Sequence, residues 1–177
     1  DKYEIDSQAY KKILAEVKNQ VQKQLKIRTA RDYPIYVVSL TRLQQIKDPR
    51  LGDALGFFNS DISYSRDGHG NISNMKREGS IYVVDRLTYR PAYELVAHEY
   101  AHSWHFEQKP PGFESDPVDS EGFAEWVAYQ VLMGKGYKEQ AENLKKKRHP
   151  YGTGLKKMLQ IEKQKGIRGV IEYIKTH

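Results

Sequence analysis

The sequence predicts an α+β fold: a helix, then a small sheet, then a helical half. Three observations lead there. Apolar residues recur at helical spacing near the N-terminus, β-branched runs and turn residues fill the middle, and beyond residue 90 the spacing becomes helical and stays so. With 177 residues, 38% of them hydrophobic and 29% charged, the chain reads as a single domain over 1–177 that buries a core of its own. Its N-terminal helix and β-rich part take up 1–89, and its helical part takes up 90–177.

Residues 6–26 set Ile13, Leu14, Val17, Val21 and Leu25 among lysines and glutamines, the stripe of an amphipathic helix. Pro34 introduces "IYVVSL", residues 35–40, a strand by its β-branched content. Pro49 and Gly52 make 48–53 a turn. Residues 55–85 read as a β meander: "GFFNSDISYS", the turn "RDGHGN", "NISNMKREG" and the strand "SIYVVDRL". His69 falls in that turn and reads as a loop histidine. The strand over 81–85 is a candidate edge on which an extended peptide could pair.

Past Pro91 a helix is carried by Tyr93, Val96, Ala97, Tyr100, Ala101 and Trp104, and "KPPGF" at 109–113 ends it. A second helix starts at 116 or 119, tolerates Pro117 in its first turn, and runs to 133, with Gly134 and Gly136 closing it. A third spans 138–147 and stops before Pro150. A fourth spans 155–175 with an interruption near Gly166, and "RHPYGTG" between the two reads as a shaped loop.

Composition removes several classes of function. The chain has no cysteine, so disulfides, zinc ribbons and thiol nucleophiles are excluded, and a transition metal must be held by histidine and carboxylate. The net charge of +6 is scattered except for Lys145, Lys146, Lys147 and Arg148, a run that reads as a solvated helix face. Nucleic acid is therefore not an expected partner. No stretch has the length of a membrane span, and no signal peptide is visible. The missing initial methionine and the absence of cysteine suggest an exported chain relieved of its signal, a cytoplasmic location being the alternative. Oligomeric state is not legible.

The chemistry concentrates in "VAHEYAHSWH", residues 96–105, where His98, Glu99 and His102 form H-E-x-x-H. Residues four apart on a helix share a face with a rise of about 6 Å, so two imidazoles at that spacing converge on one zinc ion. Glu99 sits one step around, placed to serve a metal-bound water as general base. Zinc lowers the pKa of that water to about 7, and the glutamate takes its proton as a carbonyl is attacked. The apolar residues flanking the motif favour a metal site over a solvated, histidine-rich face.

A catalytic site normally offers three protein ligands. His105 lies about 10.5 Å further along the helix than His98, beyond reach of the same ion. It reads as exposed, with a cleft-lining or ligand-supporting position as the alternative. The extended motif H-E-x-x-H-x-x-G-x-x-H fails, because positions 105 and 108 hold His105 and Gln108. The better third ligand is in "DSEGFAEW", where Glu121 and Glu125 share a helix face near apolar positions, a costly placement without a cation. Glu121 is expected to bind one zinc ion and Glu125 to orient a ligand histidine, with the reverse assignment left open.

This arrangement resembles that of gluzincin metallopeptidases, the thermolysin-like enzymes that use two histidines and a glutamate. "LVAHEYAHSWH", a connection of similar length and "SEGFAEWVAYQVL" are similar to the peptidase domain of plant LIM-domain-associated growth regulators and their stand-alone bacterial relatives. The strand "IYVVDRL" and "YGTGLKK" fit that family too, so the likeness covers roughly residues 55–157. It implies a zincin-like sheet beside an active-site helix and a zinc-dependent peptidase, expected to be an endopeptidase acting on a peptide or protein substrate. Without cysteine there is no LIM domain, which leaves ubiquitin-linked regulation outside the resemblance. For the oxyanion that develops in such a reaction, Tyr151 and His149 are the candidate donors, and the resemblance favours Tyr151. The alternatives are a non-catalytic zinc-containing binding module and a DNA-associated protease using the basic run.

Overall fold

In the computed structural model, which describes residues 4–177, the first helix α1 (Ser7–Leu25) buries Tyr10, Ile13, Leu14, Val17, Val21 and Leu25. Asp6 caps it by accepting from the Ala9 N–H at 2.8 Å, and Lys26 ends it in the left-handed region at φ 59°. The Tyr10 hydroxyl donates to the Val84 carbonyl at 2.8 Å, tying the helix to the sheet.

Strand β1 (Ile35–Val38) is shorter than the apolar run suggests. Ser39 stops it by capping a short helix, α2 (Leu40–Ile46), through its hydroxyl and the Arg42 N–H at 3.2 Å. A single 3-10 turn, Pro49–Leu51, occupies the expected turn. Then β2 (Gly56–Arg66) and β3 (Ile72–Val84) form a long hairpin. "NISNMKREG" and the β-branched run are thus one continuous strand. Asp67 closes its turn by accepting from the backbone N–H groups of His69 and Asn71, both at 2.9 Å, and His69 is exposed there as expected.

The sheet order is β1-β3-β2, with β1 parallel and β2 antiparallel to β3. The expected edge over 81–85 is therefore central, and the edge strand toward the rest of the site is β2. Ile81 and Val83 point into the main core. On the other face Tyr82 stacks on Phe57 at 5.0 Å, beside a small cluster of Leu43, Phe57 and Val84.

The helical half begins with α3 (Tyr89–Gln108), which carries Pro91 in its first turn. α4 (Pro117–Gly134) starts on Asp116, whose carboxylate accepts from the Val118 N–H at 2.7 Å. Phe123, Ala124, Trp126, Val127, Ala128, Val131 and Leu132 are all fully buried, so α4 is the central helix of this half. α5 (Lys138–Leu144) ends earlier than the periodicity suggests, and α6 (Tyr151–Ile174) starts earlier and breaks at Gly166, φ 69°.

The early start of α6 corrects the expected loop at "RHPYGTG". Gly152 and Gly154 are packing residues inside a helix. A Cβ on Gly154 would lie 2.2 Å from the Val118 carbonyl oxygen and 2.5 Å from the Gly122 Cα. The two glycines at 122 and 154 are where α4 and α6 touch backbone to backbone. The result is an α+β protein whose main core joins α1, β1, β3, α3, α4, α5 and α6. None of the described helices is long and apolar enough to cross a membrane.

Candidate metal centre

α3 buries one side through Ala92, Val96, Tyr100 and Trp104, which turns the 98/102 stripe toward a cleft of about 1040 Å³. α4 crosses beside it, packed by Phe123 against Trp104 at 5.4 Å between ring centroids. That crossing brings Glu121 and Glu125 to the two histidines. His98 Nε2 lies 3.0 Å from His102 Nε2 and 3.1 Å from Glu121 Oε2, and His102 Nε2 lies 3.5 Å from the same oxygen. On the far side of the ring, His98 Nδ1 lies 3.1 Å from Glu125 Oε1. His98, His102 and Glu121 thus form a partly buried group that can hold a metal ion, with one ligand atom from each within 4.8 Å of the others.

The donor chemistry fits a divalent cation. Two ring nitrogens facing each other across 3.0 Å cannot both act as donors, and Glu121 Oε2 faces both of them. Burial opposes protonation of His98, yet hydrogen bonds to Glu121 and Glu125 prevail and push its pKa up to about 10. For Glu121, burial raises the pKa, but the charge and hydrogen bonds of His102 and His98 hold it well below the usual carboxylate range. A metal ion held by the group would supply positive charge in place of that imidazolium.

Glu99 is 4% exposed, and its Oε2 has no partner. Burial pushes its pKa up, while the charges of His98 and His102 pull it down. Its surroundings come from β2: a Cβ on Gly56 would stand 3.2 Å from Glu99 Oε1 and 2.9 Å from the Tyr82 carbonyl oxygen. Strand and helix therefore press together at this carboxylate, and only glycine leaves room.

Tyr151, the first residue of α6, stands with its ring 6.1 Å from that of His98. Burial and the carboxylates of Glu121, Glu125 and Glu99 push its phenol pKa up, so it keeps its proton. His149 also lines the cleft and is exposed.

Two expectations change. His105 is not exposed: it is 4% exposed, 5.9 Å from the Phe123 ring, and it hydrogen-bonds to the Ile174 backbone, because α4 and the end of α6 close over it. Burial pushes its pKa down to about 3. It lies outside the metal-holding group, as the helix rise requires.

Nor is the basic run simply a solvated face. Lys147 Nζ lies 2.8 Å from Glu125 Oε1 and 2.8 Å from Glu94 Oε1. Glu94 in turn accepts from Gln140 at 2.7 Å. A chain of alternating charge, Glu94–Lys147–Glu125–His98, so supports one ligand from behind. The sequence reading missed Lys147, Glu94 and Gly56. The one signal for Lys147 is that a carboxylate as buried as Glu125 needs a cation beyond a neutral histidine.

The edge strand β2 lines the cleft through Phe57, Phe58, Ser60 and Ile62, and the segment 147–151 lines it too. No family model matches this chain, and no curated protein or solved structure gives a significant match to it.

Proposed function

We propose that this protein is a zinc metallopeptidase of gluzincin type, and one juxtaposition carries the reading. Three ligand atoms of His98, His102 and Glu121 converge within 4.8 Å, beside a further carboxylate, Glu99, that is buried with its Oε2 left without a partner. A purely structural metal site has no use for that extra group, and keeping it buried costs stability.

When bound, zinc supplies a Lewis acid that polarises a water and the scissile carbonyl. His98, held by Glu125 through its other ring nitrogen, and His102 and Glu121 hold the ion. Glu99 takes the proton of the attacking water and passes it to the leaving amine, a role that its raised pKa suits. Tyr151 keeps its phenol proton and donates a hydrogen bond through it to the developing oxyanion. An extended peptide lies along β2, pairing with its free edge and setting the scissile bond over the metal group.

The test pairs metal analysis with cleavage of a peptide library. The wild type is expected to carry about one zinc per chain and to cleave. Glu99→Gln should keep the zinc and lose cleavage by at least about 100-fold. Full activity in Glu99→Gln, or a zinc-loaded wild type that cleaves nothing, removes the reading.

A further inference from the structure

The cleft face of α3 continues past the metal-holding histidines. His98, His102 and His105 follow at spacings of four and three on α3, Lys109 comes four residues later as the extended residue that ends the helix, and all four line the cleft. The first two have partners in the metal group. The last two are short of them. Among the described residues, the Nζ of Lys109, itself 7% exposed, finds no acceptor, and the Nε2 of His105, 4% exposed, is equally unpartnered.

A buried ammonium without an acceptor is costly, and nothing nearby relieves it. The carboxylate whose field reaches Lys109 is Asp119, and both its oxygens are engaged. Its Oδ1 accepts from Lys157 at 2.6 Å and its Oδ2 from Tyr173 at 3.0 Å. What Lys109 has instead is the ring of Phe113, 4.2 Å from Nζ to the centroid, on a side chain that is itself 42% exposed. An exposed aromatic ring is a modest, displaceable partner for a cation. His105 donates its other ring N–H to the Ile174 carbonyl, which leaves Nε2 as a buried acceptor one turn before the ammonium.

We propose that Lys109 and His105 form a subsite for a carboxylate-bearing segment of the peptide substrate, Lys109 taking the carboxylate and His105 accepting an N–H. The assignment of this ligand as part of a substrate rests on the peptidase reading above. Lys109 lies seven residues beyond His102, about 10.5 Å along the helix, which an extended peptide covers in about three residues. The carboxylate therefore belongs about two to four residues from the scissile bond. An acidic side chain and the C-terminus of a short peptide both supply it.

The test uses zinc-loaded Glu99→Gln protein, which retains both subsite residues, and labelled octapeptides of alanine and leucine. One amidated set carries glutamate or glutamine at each position in turn, and a second ends in a free carboxylate or an amide. Fluorescence anisotropy is expected to show about 10-fold tighter binding of glutamate than glutamine at one position, if a side chain supplies the group. The same gain for the free end over the amide identifies the chain terminus as the source. Adding Lys109→Met abolishes that gain and Lys109→Arg keeps it, while His105→Phe weakens the acidic and neutral peptides alike. Equal binding within every pair overturns the subsite whatever the wild type's activity, and needs no Lys109 variant to fold. A gain that survives Lys109→Met removes Lys109 from the role. Retained glutamate preference in a wild type that cleaves nothing overturns the peptidase reading and leaves the subsite standing.

Discussion

Glu125 is 1% exposed and touches two cations of different kinds, the His98 ring on one side and Lys147 on the other. Removing Lys147 leaves a buried carboxylate with half its compensation and frees the His98 ring to turn. Lys147→Met is expected to weaken zinc binding by about 10-fold to 100-fold in competition with a chelator of known affinity. The same network fixes a pH dependence. The folded pKa of His98, about 10, lies above its ordinary 6.5, so its charge stabilises the metal-free fold fully below pH 6.5, and that contribution is lost as pH rises through about 10. Glu121 and Glu125 are shifted down and act oppositely: they stabilise above their ordinary 4.5 and stop doing so as pH falls through their lowered values. Zinc must displace the His98 proton, so its apparent affinity is expected to climb across pH 6–9, with proton release measurable by titration calorimetry in buffers of different ionisation enthalpy. A pH-independent affinity over that range contradicts the coupling. At this scale the ligand residues were legible because helix periodicity alone aligns His98 with His102 and Glu121 with Glu125. Lys147, Lys109 and the burial of His105 were not, since each depends on which element folds over it.

The elements meet most tightly at glycines. Gly154 of α6 approaches the Val118 carbonyl and Gly122 of α4 so closely that any side chain forces the helices apart. Gly154→Ala is expected to destabilise the protein by about 1–3 kcal/mol, read from the denaturant midpoint, and to lower cleavage as the start of α6 carries Tyr151 away. Unchanged stability would mean that the two helices do not cross there. A reading of turn propensity assigns such glycines to a loop, as the sequence reading did at 151–154, because it sees the absent side chain and not the backbone pressed against it. The strand ends failed for a related reason: Ser39 caps a helix that the apolar run conceals. The α+β class, α1, the β-rich stretch with its turn at 66–71, α3 and α4 needed only periodicity and punctuation, and those agree with the structure to within a few residues, although the meander proved to be one long hairpin.

Across the whole molecule, the metal group draws on two helices and is sheltered by a strand, while the segment 109–116 between those helices is irregular. Binding therefore reports on folding. At a free zinc concentration of 100 times the dissociation constant, linkage gives about 2.7 kcal/mol, or roughly 5–10 °C in Tm for a chain of this size. Chelator is expected to lower Tm by that amount in the wild type and by far less in Glu121→Ala, as differential scanning fluorimetry would show. Equal shifts in both would place zinc elsewhere. The position of the ligands has a consequence for chain topology as well. An ion shared by His102 and Glu121 would fasten the chain to itself across the irregular stretch, closing a ring as a disulfide would in a sequence that has none. A single protease nick within 109–116 would then leave two fragments joined by the metal as well as by the shared core, so removal of zinc is expected to weaken their association.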